Sequence, residues 1–187
     1  MKQTIVRKGT FDAGHRVMNE KMKCFNMHGH TYHYELHFEF TSTEEIGYAI
    51  DFKEIKRIGC QWIDDLLDHG MILNPEDHIP IAACVSTGSK LWLMSLNGKK
   101  QYCNPTAENL AKEIFLAMEI LFDSRGNGLR IKEIILYETP NCFVNCTEHS
   151  IAGHEAQNFY DLNQDDIIRY AKGKGLVEYD DRKEVTK

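Results

Sequence analysis

The segment Cys24-Phe25-Asn26-Met27-His28-Gly29-His30 concentrates side chains able to hold a metal. His28 and His30 are two apart, so on a β-strand both point to one face and can share an ion. Gly29 between them keeps the opposite side uncrowded. His15 closes an earlier apolar stretch, and antiparallel pairing of the two strands would bring it beside the other two. Three neutral imidazoles around Zn2+ leave a fourth position open for water or substrate, which is the arrangement of a catalytic site. Cys24, four residues upstream of His28, strengthens the metal reading. It could also be a fourth ligand that closes the site. His33 and His37 have the other parity and are expected to point away. His78, His149 and His154 have no spacing partner.

The elements that must position these residues are legible in the hydrophobic pattern. Residues 4–15 read as a strand with Phe11, Ala13 and His15 on one face, and residues 16–27 read as a polar loop. From His28 to Phe40, Tyr32, Tyr34, Leu36, Phe38 and Phe40 alternate with polar residues, which predicts a half-buried strand. Asp51 to Leu67 carries an apolar stripe of Phe52, Ile55, Ile58, Trp62, Ile63 and Leu66 at helical spacing. Asp51 with Glu54 resembles a capping box, and Gly70 is expected to mark the helix end. In the less regular stretch 74–104, Asn97-Gly98 between Leu91–Leu96 and Lys99–Cys103 predicts a two-stranded hairpin. A helix is expected from Thr106, with Leu110, Ile114, Phe115, Met118, Leu121 and Phe122 buried and Gly126 and Gly128 ending the segment. Leu129–Thr139 and Phe143–His149 read as paired strands around a turn at Pro140-Asn141. Beyond Glu155 a docked helix and a loose end are expected. The order implies an α+β domain, an antiparallel sheet with two helices laid on one face.

The chain has 187 residues, 42% of them hydrophobic. That suits one domain with a real core, divided here as 1–154 and a C-terminal extension, 155–187. A net charge of -6 argues against a nucleic-acid footprint, which needs clustered cations. No segment approaches the roughly 20 apolar residues that span a membrane. The N-terminal residues contain no apolar run of signal-peptide length. The six cysteines are therefore expected to be reduced thiols of a cytoplasmic protein, and they form no pair of Cys-x-x-Cys motifs.

Six segments occur in register: Phe11-Asp12-Ala13-Gly14-His15, Cys24-x-x-x-His28-Gly29-His30, Ile50-Asp51-Phe52, Leu67-Asp68-His69, Pro105-Thr106-Ala107-Glu108-Asn109 and Tyr137-Glu138-Thr139-Pro140. Together they resemble the 6-pyruvoyl-tetrahydropterin synthase and 6-carboxytetrahydropterin synthase superfamily over roughly residues 5–150, with 75–104 longer than expected. The three-residue gap between Cys24 and His28 resembles the carboxy-forming branch, which serves the queuosine and 7-deazaguanine pathway. The resemblance implies the tunnelling fold, an oligomeric barrel that is commonly a homo-hexamer with active sites between subunits. It also implies conversion of 7,8-dihydroneopterin triphosphate to 6-carboxy-tetrahydropterin, acetaldehyde and triphosphate. The pyruvoyl-forming reaction is the alternative. A non-catalytic zinc protein and a zinc hydrolase are readings from other classes.

The resemblance also implies roles. His15, His28 and His30 would hold zinc, which would act as a Lewis acid on the substrate's side-chain oxygens. Cys24 would be the general base. Asp68 and His69 would form a relay, although a histidine at a helix C-terminus also has a plain dipole role. Glu138 would accept two hydrogen bonds from the pterin amino group and ring N–H, or else be a strand-end surface carboxylate. Thr106 and Ala107 would complete the pterin pocket, with Thr106 equally placed as a helix N-cap. Glu108 would support the pocket or only favour the helix N-terminus. Arg16, Lys21, Lys23 and Lys53 are candidates for the triphosphate by proximity to the motifs. Asp12 and Gly14 depart from the small or hydroxyl residues expected around the first histidine.

Overall fold

The computed structural model describes residues 2–98, 100–123 and 128–175. Its centre is a six-stranded sheet in the order β4-β3-β1-β2-β5-β6. β1 (Gln3–His15) and β2 (His28–Phe40) pair antiparallel along their full lengths, from Gln3 opposite Phe40 to His15 opposite His28. The alternation in β2 dictates this: one slip of register would carry Tyr32, Leu36 and Phe38 from the core to the other face. All three are fully buried. β5 (Arg130–Thr139) pairs antiparallel with β2, and β6 (Cys142–Cys146) with β5.

The other edge departs from the purely antiparallel expectation. β3 (Gly70–Leu73) runs parallel to the end of β1, and β4 (Leu91–Leu93) parallel to β3. The hairpin expected at Asn97-Gly98 does not form among the described residues. A local turn survives, with Gly98 at φ 96° donating its N–H to Ser95. Leu91–Leu93 pairs with β3 instead, and Met94 and Leu96 are buried beyond it. Burying those side chains outweighs the turn preference of one dipeptide. Lys99 and Gly126 lie outside the described residues.

Residues 52–66 are helical in three pieces: α1 (Phe52–Ile55), a π-helical turn (Lys56–Cys60) and α2 (Gln61–Leu66). Asp51 caps α1 by accepting from the Lys53 N–H, while Glu54 turns to Arg57 instead of closing a capping box. Within the π turn, a Cβ on Gly59 would come within 2.9 Å of Met118 and 3.3 Å of Leu36. A side chain there would have to push Met118 and Leu36 aside, so glycine favours this close approach. The residue in the left-handed region after α2 is His69 (φ 56°), not Gly70, which already lies in β3.

Helix α3 (His78–Thr87) was not expected from the pattern. It is apolar nearly all round and leaves Ile79 and Val85 exposed, so it shows no amphipathic period. α4 (Ala107–Phe122) buries ten of its residues, more than a one-sided stripe. The reason is α5 (Gly153–Gly173), whose Phe159, Ile167 and Ala171 enter the same core. α5 is tied to α4 by Lys112–Glu155 at 2.8 Å and by Tyr160 to Glu119 at 2.7 Å. No described helix is long and apolar enough to cross a membrane.

Candidate active site

The β1–β2 register sets His15 opposite His28 and Ala13 opposite His30. Parity then places all three histidines on the face that carries Tyr32 and Phe11, at the end of the core. Their ring centroids lie 4.5, 4.9 and 5.1 Å apart. The Nε2 atoms of His15 and His28 are 3.1 Å apart.

What surrounds these rings decides what they can do. His15 Nδ1 donates to the Pro105 carbonyl at 2.8 Å, and His28 Nδ1 donates to the Asn26 carbonyl at 2.7 Å. With the protons held there, both Nε2 atoms carry lone pairs, and they face each other. Two lone pairs at this distance repel unless a cation lies between them. Nitrogens bound at about 2.0–2.1 Å in a tetrahedral site are about 3.3 Å apart, so the observed spacing fits a metal. Burial lowers the pKa of His15, which keeps it neutral as a ligand must be. Backbone carbonyls in these positions are the kind of outer partner that orients an imidazole for metal binding.

Glu138, at the end of β5, directs Oε1 to within 3.6 Å of His15 Nε2 and 3.9 Å of His30 Nε2. Its carboxylate therefore lies at the mouth of the cluster. Cys24 stands in the loop before β2, where its carbonyl accepts from the Val17 N–H at 2.8 Å. The group of mutually close ligand atoms contains the three histidines without Cys24, so the thiol does not close the site. Thr106 caps α4 through the Asn109 N–H, and Ala107 opens the helix. Both follow Pro105, the partner of His15. Glu108 is exposed there, as are Lys21, Lys23 and Lys53. Arg16 lies over the Phe25 ring at 4.2 Å and faces Asp77 at 3.5 Å.

Asp68 and His69 form a pair, Nδ1 to Oδ2 at 2.6 Å, but not beside the three histidines. Asp68 also accepts from the Asp12 N–H at 2.7 Å, and Asp12 in turn accepts from Thr31. Asp12 and Thr31 have the opposite parity to His15 and His30, so this cluster occupies the other face of the sheet. His69 is 78% exposed there. Its hydrogen bond to Asp68 raises its pKa. Burial pushes the Asp68 carboxyl up, yet the Asp12 N–H and His69 hold it below the ordinary range. His69 keeps a left-handed backbone, a conformation that costs a β-carbon residue about 1–2 kcal/mol and that gathers at functional positions.

Sequence reasoning missed Tyr32 as a site residue. Its hydroxyl lies 3.4 Å from His15 Nδ1, and burial, Glu138 and Cys24 together push its pKa far up. The signal was its parity, two residues beyond His30. The carbonyls of Pro105 and Asn26 gave no side-chain signal at all.

The family profile of 6-pyruvoyl tetrahydropterin synthase matches residues 4–149. The chain belongs to the 6-pyruvoyl tetrahydropterin synthase family. It is 38% identical over 145 residues to a 6-carboxy-5,6,7,8-tetrahydropterin synthase of Rickettsia felis, covering 74% of this chain and 95% of that protein. It is 30% identical over 156 residues to a 6-pyruvoyl tetrahydrobiopterin synthase of Dictyostelium discoideum, covering 77% and 96%. The fold is shared with the 6-pyruvoyl tetrahydropterin synthases of Caenorhabditis elegans (TM-score 0.52, 21% identity, 79% of this chain and 96% of that one) and Plasmodium falciparum (TM-score 0.56, 16% identity, 78% and 96%). All the motif residues lie inside the span matched by the 6-pyruvoyl tetrahydropterin synthase profile, and α5 lies beyond it.

Proposed function

We propose that this protein is a zinc-dependent 6-carboxytetrahydropterin synthase, converting 7,8-dihydroneopterin triphosphate to 6-carboxy-5,6,7,8-tetrahydropterin, acetaldehyde and triphosphate. The observation that carries the reading is the convergence of His15, His28 and His30, with a carboxylate at its mouth and the thiol left outside. Zinc held by the three histidines would supply a Lewis acid for the substrate's side-chain oxygens.

The protein's own groups divide the remaining work. Glu138 accepts two hydrogen bonds from the pterin amino group and ring N–H, and it rejects rings without those donors because its carboxylate would be left unpaired. Thr106 and Ala107 line the pterin pocket. Cys24 takes the proton from the substrate side chain. Asp68 fixes the tautomer of His69 and raises its basicity, so that His69 can relay that proton. Because this pair sits on the opposite face of its own sheet, the relay comes from a neighbouring copy. That accords with an oligomeric barrel, a hexamer in our reading, with sites between subunits. Residues 1–154 form the catalytic part and 155–187 an extension of the same domain. The pathway we assign is queuosine and 7-deazaguanine synthesis in a cytoplasm.

The branch is favoured by the Cys24-to-His28 gap and by the carboxy-forming name of the Rickettsia relative. A mass-spectrometric product assay tests it. Zinc-loaded protein is incubated with 7,8-dihydroneopterin triphosphate beside a chelated control and a Cys24→Ala variant. Carboxy-tetrahydropterin and acetaldehyde, lost in both controls, is the expected result. A pyruvoyl product would move the protein to the other branch. Turnover retained in Cys24→Ala would remove the base assignment and favour a zinc hydrolase.

A further inference from the structure

The backbone of Met18 is gripped at both of its polar groups by the far end of the 74–104 segment. Its N–H donates to Asn104 Oδ1 at 2.9 Å, and its carbonyl accepts from the Tyr102 hydroxyl at 2.5 Å. Asn104 Nδ2 donates to the same hydroxyl at 2.9 Å, so the two grips are joined. Asn104 is itself braced by fully buried Asn74, whose amide donates to its Oδ1 at 3.0 Å. Asn74 Oδ1 in turn accepts from the N–H groups of Glu76 and Cys103. These donors and acceptors form one connected hydrogen-bond network from buried Asn74 to Met18.

Met18 matters because of its neighbour. The N–H of buried Val17 holds the Cys24 carbonyl, so the Met18 grip fixes the base of the loop that presents the thiol. A second tie reaches the same loop: Asp77, from the same segment, faces Arg16, which lies over Phe25 beside Cys24. The residue after Asn104 is Pro105, whose carbonyl orients His15. One dipeptide therefore touches both the histidine cluster and the cysteine loop.

We propose that Tyr102 and Asn104 are positioning residues that fix the Cys24 thiol relative to the three histidines. Residues 74–77 and 102–104, the two ends of a segment longer than the sequence motifs alone require, are then working parts of the site. The proposal rests on the reading of Cys24 as the base.

The first variant is Tyr102→Phe, which keeps the ring and removes only the hydroxyl. Tyr102 is 45% exposed, and near-ultraviolet circular dichroism checks that the fold is retained. The expected result is a kcat lowered about tenfold with KM changed less than about twofold, because misplacement of a reacting group by about 1 Å costs up to about 100-fold. Metal content stays at the wild-type level. Site-resolved alkylation of the zinc-loaded protein by iodoacetamide, followed by mass spectrometry, gives a readout independent of turnover. The Cys24 rate should rise several-fold, with exposed Cys142 as the internal reference. Asn104→Asp, which keeps the acceptor for Met18, should fall less than Asn104→Ala. Wild-type kcat and wild-type Cys24 alkylation in Tyr102→Phe and Asn104→Ala, both folded and fully loaded, would overturn the proposal. The base reading fails separately, through retained turnover in Cys24→Ala, while the alkylation result still tests the clamp.

Discussion

Replacing Glu113 by glutamine should make the stability of this protein much less sensitive to pH between about 4.5 and 7. Glu113 projects from α4 into the core, where its carboxylate accepts from Trp92 Nε1 at 2.6 Å and from the Ser95 N–H and hydroxyl at 2.5 and 3.0 Å. Burial outweighs these donors and pushes its pKa from 4.5 to about 7. The folded chain therefore keeps this proton where the unfolded chain has lost it. Stability from this group is fully present below pH 4.5 and is lost as pH rises to about 7. At about 1.4 kcal/mol per unit, the shift amounts to about 3 kcal/mol. The carboxyls with depressed pKa values, among them Glu35, Glu39 and Asp65, act in the opposite sense and at lower pH. Glutamine keeps the acceptor for Ser95 but sets an amide N–H against Trp92, a cost of about 1–3 kcal/mol that does not vary with pH. Urea denaturation of both proteins at pH 5 and pH 8, at one protein concentration and one metal loading, is the assay. The variant should be the weaker protein at pH 5 and recover about 2.5 kcal/mol relative to wild type by pH 8. Parallel stability across that range would show that Glu113 is ionised in the folded state, and the argument from burial would fail.

Removing the His28 ring should weaken metal binding more than about 100-fold, since even an outer partner of a ligand is worth about 10–100-fold; metal content by plasma mass spectrometry decides it, and full occupancy in His28→Ala would refute the three-histidine site. Glu138→Gln should lower kcat/KM about 10- to 100-fold, the worth of one charge-assisted hydrogen bond of about 1.5–3 kcal/mol, with metal content unchanged; kinetics within twofold of wild type would release Glu138 from pterin binding. Phe122→Ala, which empties a buried site against Phe38 with ring centroids at 4.6 Å, should cost about 3–5 kcal/mol by urea denaturation; a loss under about 1 kcal/mol would mean that the core closes over the cavity.

Much of the site was readable because strand parity is a strict rule. Once β1 and β2 were recognised, His15, His28 and His30 had to share a face if the strands paired with His15 near His28, and His33 had to point away. The N-cap at Thr106 was equally local. What escaped was whatever came from a distance. Pro105 meets His15 across 90 residues of sequence, and a carbonyl carries no side-chain signal. Asp68 and His69 were legible as a pair but not as residents of the opposite face, because that depends on β3 lying parallel to β1. The Asn97-Gly98 hairpin failed for a related reason: a turn preference is local, and β4 found a better partner in β3.

The sequence by itself determined the periods of β1, β2 and α4, and hence which side chains they could offer to the core and to the histidine cluster. It also determined the Thr106 cap and the order of the motifs, because those depend on residues within a few positions of one another. The tertiary structure decided the register of β1 on β2, the carbonyls that aim the imidazoles, the left-handed turn at His69 and the burial of Glu113. Each of these needs two distant stretches of chain held together, and the free energy that holds them belongs to the packed core as a whole rather than to any one segment.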